Sequence, residues 1–326
     1  MNWKKSIAVA LSAVTIMAMV AGCGSNTATN DQKKIGVIQL VEHPSLDAAN
    51  KGFVDGLASK GFKDGQNIKL DQQNAQADQS NLNSIAQRFV SDKKDLVLAI
   101  ATPAAQTMAN ASHDMPIMGT AITDYVTAKL VQSNEHPGGN VSGTSDMTPV
   151  EKEVDLIIAF VPNVKRIGAI YTSSEINSQL QVEKMKAYAA TKGITVVEAT
   201  VSNVNDIQQA ATNLVNQDVQ AIYTPTDNVL ASAMANLAQI TDAAKIPVFA
   251  ADEGMTMTGG VATYSVDYYQ LGYQTGLMAA KVLAGEAKIA DLAIETQKNI
   301  KLTVNEERAK KLGITIPDAL RKDMKQ

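Results

Sequence analysis

Seven short segments carry the side chains that could do chemistry, and each follows an apolar run. They read V-E-H-P-S-L-D (41–47), T-P-A-A-Q (102–106), T-A-I-T-D-Y (120–125), T-S-S-E-I-N-S (172–178), T-P-T-D-N (224–228), A-A-D-E-G (250–254) and Y-S-V-D-Y-Y (264–269). Nearly all carry hydroxyls and most carry an acid. Ser and Thr ahead of a helix accompany free N–H groups and a favourable dipole, which suit a carboxylate. The acids Glu42, Asp124, Asp227, Asp252 and Asp267 suit an ammonium. Together these groups fit a zwitterion such as an amino acid. The candidate ligand-binding residues are therefore Glu42, His43, Thr102, Pro103, Asp124, Ser173, Ser174, Asn177, Thr226, Asp227, Asn228, Asp252, Tyr264 and Asp267. Ser, Thr, Asn and Asp in such places are also ordinary helix N-caps, so each position carries both readings.

The elements that must position these residues alternate. From Lys34 onward, β-branched runs such as K-I-G-V-I-Q-L (34–40) and D-L-V-L-A-I-A (95–101) alternate with helical patterns, which predicts a parallel α/β sheet. In such sheets ligands bind beyond the carboxyl ends of the strands. Helices are expected over 46–60, 79–91, 149–160, 176–192, 206–215, 229–244, 268–283 and 306–311. The segment 96–106 matches 219–228, with Thr-Pro at the same strand exit in both. This predicts two similar doubly wound lobes.

The amino-terminal segment has a different chemistry. Lys4 and Lys5 precede an apolar run from Ile7 to Val20, then Ala21, Gly22 and Cys23, followed by a polar tract to Lys34. This is the layout of an export signal, and the run is shorter than the roughly 20 apolar residues that span a bilayer. Small residues ahead of the cysteine resemble a bacterial lipoprotein signal. That resemblance implies lipidation of Cys23, cleavage before it, and a tether over residues 23–33.

Composition narrows the function. A formal net charge of -4 offers no electrostatic reason to expect nucleic acid. With Cys23 the sole cysteine, no intramolecular disulfide is available, and three scattered histidines argue against a His/Cys metal site. The sequence contains no G-x-S-x-G, H-E-x-x-H, P-loop or G-x-G-x-x-G motif, which argues against an enzyme on this architecture. No cofactor is expected.

Six of these segments, all but A-A-D-E-G (250–254), together with S-G-T-S-D (142–146), make the chain resemble the ABC-transporter substrate-binding lipoproteins of the type I periplasmic-binding-protein fold. Within these it looks most like the branch associated with tryptophan and other aromatic amino acids. The resemblance implies two lobes joined by three crossovers, near 142–148, 252–257 and 286–300. The lobes would then comprise 34–145 plus 256–286, and 146–255 plus 287–326, after a signal over 1–22. It also implies an extracytoplasmic, lipid-anchored protein that closes on its ligand and docks on a permease driven by an ATPase, and a monomer is the natural default for a carrier that must hinge. A sensory receptor of the same fold, or a binder of branched-chain or other small solutes, stays open as an alternative.

Overall fold

The computed structural model describes residues 32–324; the signal, Cys23 and most of the tether lie outside them. Strands and helices alternate as β1 (Lys33–Gln39), α1 (Pro44–Ser59), β2 (Ile68–Asn74), α2 (Gln79–Ser91), β3 (Leu96–Ile100), α3 (Thr102–Ala111), β4 (Ile117–Ile122) and β5 (Val141–Ser145). A second series runs α4 (Val150–Phe160), β6 (Arg166–Thr172), α5 (Ile176–Thr191), β7 (Thr195–Val201), α6 (Ile207–Val215), β8 (Ala221–Thr224), α7 (Asn228–Ser232), α8 (Met234–Ala243), β9 (Val248–Ala250) and α9 (Glu253–Gly259). The chain ends with β10 (Ala262–Ser265), α10 (Tyr268–Leu283), β11 (Glu295–Thr296), β12 (Lys301–Val304) and α11 (Glu306–Leu312).

Two parallel sheets form, as the alternation predicts. The first has the order β2-β1-β3-β4-β5-β11 and the second β7-β6-β8-β9, while β10 and β12 make an antiparallel pair. Each set therefore repeats the order second, first, third, fourth. The Thr-Pro exits after β3 and β8 fall at equivalent places, beside the strand order reversal where such sheets bind ligands. All five residues of β3 are buried, as a strand covered on both faces requires.

The crossovers differ from expectation. Asp252–Met257 was expected to cross between lobes, but Glu253–Gly259 is a helix capped by Asp252 and stays with the second lobe. Val261 and Ala262 share a core cluster with Leu302 and Ala309, whereas Val266, Tyr268 and Ile294 belong to the core of the first lobe. The chain thus crosses at 146–149, 266–267 and 297–300. The segment 256–265 moves to the second lobe and 287–296 to the first. The expected helix over 229–244 is interrupted at Ala233 (φ -128°, ψ 24°), with neither Gly nor Pro there to signal the break.

One helix pair matters for the site. In the first lobe, α10 lies so close to α1 that a Cβ at Gly272 would sit 1.8 Å from the Ala49 carbonyl oxygen. Only glycine admits that approach, and it fixes the amino-terminal end of α10 against the start of α1.

Candidate functional site

The strand exits of the two lobes meet. The polar contacts that bridge them include His43 Nε2 to Asn228 Oδ1 at 3.5 Å, Ser45 Oγ donating to Asp252 Oδ1 at 2.8 Å, and Thr123 Oγ1 to Thr226 Oγ1 at 3.1 Å. His43 reaches the opposite lobe because it precedes α1 in extended backbone (φ -162°) and its side chain does not cap the helix. Between the lobes His43, Asp146, Asp227, Asn228, Asp252 and Tyr268 line a small cavity of about 10 Å³, room for roughly one water molecule. The cleft is closed.

The buried acids are not equivalent. Asp227 Oδ1 accepts from the Thr172 hydroxyl at 2.8 Å and from Leu230 N at 2.9 Å. Its Oδ2 accepts from Thr172 N at 2.6 Å and Ser178 Oγ at 2.8 Å. Asp227 thus caps α7 and ties β6, α5 and α7 together. Burial still raises its carboxyl above the usual range, with these bonds opposing the rise. Asp252 likewise caps its own helix, accepting from Met255 N at 2.8 Å as well as from Ser45.

Asp146 differs. It directly follows β5 in the first crossover and is 3 % exposed. Its Oδ2 accepts from the Tyr268 hydroxyl at 2.8 Å, while Oδ1 is buried with no hydrogen-bond partner among the described residues. Burial pushes this carboxyl up to about 6; the Tyr268 and Thr123 hydroxyls offset part of the rise and the Asp252 charge adds to it. Burial also lowers the His43 imidazole, against the pull of Asp252, so His43 tends toward the neutral form. Behind Asn228 lies Glu175, which accepts from Asn228 Nδ2 at 2.6 Å and Asn177 Nδ2 at 3.1 Å. Burial first, and then the Asp227 charge, raise its carboxyl.

A second unpartnered group lies at the exit of β3. Thr102 is buried at the start of α3, and its hydroxyl has no partner among the described residues. Ala101 just before it has φ 82°, and Ala121 at the end of β4 has φ 55°. Such conformations cost a non-glycine residue on the order of 1–3 kcal/mol and gather at ligand sites.

His43, Asp227, Asn228, Asp252 and Thr226, all expected from the sequence, line the central cavity, and Asn177 donates to the Thr226 carbonyl at 2.8 Å behind it. Pro103 and Ser174 instead line a wider groove of about 430 Å³ alongside, with Leu40, Gln106 and Glu175. Glu42 and Ser173 are exposed. Asp124 closes a turn by accepting from Thr127 N at 2.7 Å. Tyr264 sits away from the cavity, paired within β10–β12 and beneath Lys152 Nζ at 5.5 Å. Asp267 caps α10 through Gln270 N. Sequence reasoning passed over Asp146, Ser45, Glu175 and Tyr268 as binding residues. Asp146 and Glu175 stand in strand-exit segments of the same kind as those it chose, whereas Tyr268 reads as helix packing.

Comparison with known proteins agrees with this architecture. Residues 34–326 match the ABC transporter substrate binding protein family. The chain is 43% identical over 322 residues, 95% of its length and 93% of the relative's, to a tyrosine-binding protein of Clostridioides difficile. A Streptococcus pneumonia structure in complex with L-Trp is 43% identical with TM-score 0.86, covering 90% of this chain and 98% of that one. The ligand-free, open structure of a Clostridium difficile substrate binding protein with adhesive properties is 45% identical, covering 90% and 99%, yet its TM-score is 0.67. At nearly equal identity the difference in superposition is one of shape, and this chain has that of the L-Trp complex. With two doubly wound lobes, a closed cleft at the strand exits and a family match over residues 34–326, the protein belongs to the ABC transporter substrate binding protein family.

Proposed function

We propose that the protein captures an aromatic amino acid, tyrosine or tryptophan, between its lobes outside the cytoplasmic membrane and delivers it to an ABC permease. The observation that carries the ligand class is Asp146, a carboxylate buried between the lobes with one oxygen that has no hydrogen-bond partner among the described residues. In this reading Asp146 takes the ligand ammonium. The Thr102 hydroxyl and the amino terminus of α3 take the carboxylate. The relatives named for tyrosine and solved with L-Trp support an aromatic side chain. Ligand-stabilised closure, a shift between open and closed lobes, is the whole of the work.

Thermal-shift measurement with each of the twenty amino acids tests the reading, because a ligand that binds only the native state raises its apparent stability. Tyrosine and tryptophan are expected to give the largest shifts. A larger shift with leucine or valine, or none with any amino acid, refutes it. Lipid on Cys23 would keep the receptor beside its permease at high effective concentration. Cys23→Ala is expected to release the protein from the membrane fraction with ligand affinity intact; retention of the variant in membranes refutes the anchor.

A further inference from the structure

Asp146 lies in the first of three chain segments that run between the lobes, and these segments are bonded to one another. The Tyr268 hydroxyl, just after the second crossover, donates to Asp146 Oδ2 at 2.8 Å. Asp267, within the second crossover, receives its own bond from the third: its N–H donates to Gln297 Oε1 at 3.0 Å, and Gln297 Nε2 donates back to the Asp267 carbonyl at 2.6 Å. Tyr268 is 7 % exposed, lines the cavity, and opens the helix locked against α1 at Gly272. One hydroxyl therefore joins the cavity carboxylate to the hinge, on an element with little freedom to shift.

Resting on the reading that Asp146 takes the ammonium, we propose that Tyr268 is a positioning residue: it holds one Asp146 oxygen so that the other meets the ligand, and it links ligand capture to the bonded crossovers. Without that hydroxyl the carboxylate loses the 2.8 Å hydrogen bond that orients it. A hydrogen bond to the ionised form also favours that form, so losing it makes Asp146 easier to protonate. The other groups that face Asp146 are Asp252 at the start of α9, Thr123 after β4, and the Tyr125 hydroxyl, which donates to the Thr144 carbonyl at 3.0 Å. His43 and Asp227 share the cavity, while the hydrogen bond of the Tyr268 hydroxyl goes to Asp146.

The test compares Tyr268→Phe, Asp146→Asn and Gln297→Ala in the full-length protein, with calorimetric titration of tyrosine and tryptophan from pH 5 to 8 and circular dichroism to confirm folding. Tyr268→Phe is expected to weaken binding about tenfold at pH 7, the scale of one hydrogen bond to a charged group, and to move the acid-side loss of affinity to higher pH. Gln297→Ala, which does not touch Asp146, should leave that pH midpoint in place. If Asp146→Asn weakens binding and Tyr268→Phe changes neither affinity nor midpoint, the positioning role is refuted while the ammonium assignment stands. If Asp146→Asn binds as well as the parent, the assignment itself fails. Should Tyr268→Phe not fold, the same midpoint is read in Thr123→Val, which removes the other hydroxyl near Asp146; an upward shift supports control of Asp146 by its hydroxyls, and an unmoved midpoint refutes it.

Discussion

Replacing Asp146 by Asn should move two properties in opposite directions. The carboxyl has an ordinary value of 3.8 and rises to about 6 in the closed cleft, chiefly by burial. Each unit corresponds to about 1.4 kcal/mol, so holding the ionised group in the closed cleft costs about 3 kcal/mol at neutral pH relative to a carboxyl exposed to water. Protonation removes that cost: acid favours the empty closed form, and this advantage is lost as pH rises through about 6. Asparagine is never charged, so the unliganded variant should lose the share of the pH dependence of closure that Asp146 contributes. The ligand ammonium, by contrast, loses a charge-assisted hydrogen bond worth about 1.5–3 kcal/mol, which corresponds to about 10- to 150-fold in Kd. Small-angle scattering without ligand at pH 5 and 8, and calorimetric titration with ligand, read the two effects separately. A parent protein whose unliganded shape is the same at both pH values, or a variant with unchanged Kd, would overturn the argument.

Two further outcomes follow from the buried acids. Asp227→Ala removes the acceptor of four hydrogen bonds and should destabilise the protein by about 3 kcal/mol or more in urea unfolding; parental stability with lost ligand affinity would return Asp227 to a direct binding role. Glu153, fully buried, accepts from Tyr264 N at 2.8 Å and is pushed by burial from 4.5 up to about 8. Between those values folded Glu153 holds a proton that the unfolded state has lost, so this one group contributes a fall in stability of about 1.4 kcal/mol per pH unit as pH rises. Glu153→Gln should flatten that slope, and parallel curves for parent and variant would refute it.

Local sequence was enough for most elements of the architecture. Period-two and period-3.6 patterns with glycine stops act over a few residues, so α10 over Tyr268–Leu283 and the buried strand β3 were legible. The Thr-Pro exits showed which two strands are equivalent. The break at Ala233 and the crossovers were not legible, because they depend on which core a segment joins. A helix such as Glu253–Gly259 looks the same locally on either side of the hinge.

The sequence alone determined the alternation that makes a parallel sheet, and hence that its ligand groups gather at strand exits. Tertiary structure decided what each acid there does. Asp227 and Asp146 are alike in composition and both follow a strand. Only folding surrounds the first with four donors and leaves the second with an oxygen that has no partner. The physical reason is that a carboxylate's role depends on how many of its lone pairs are already occupied, and the donors that occupy them come from residues distant in the chain.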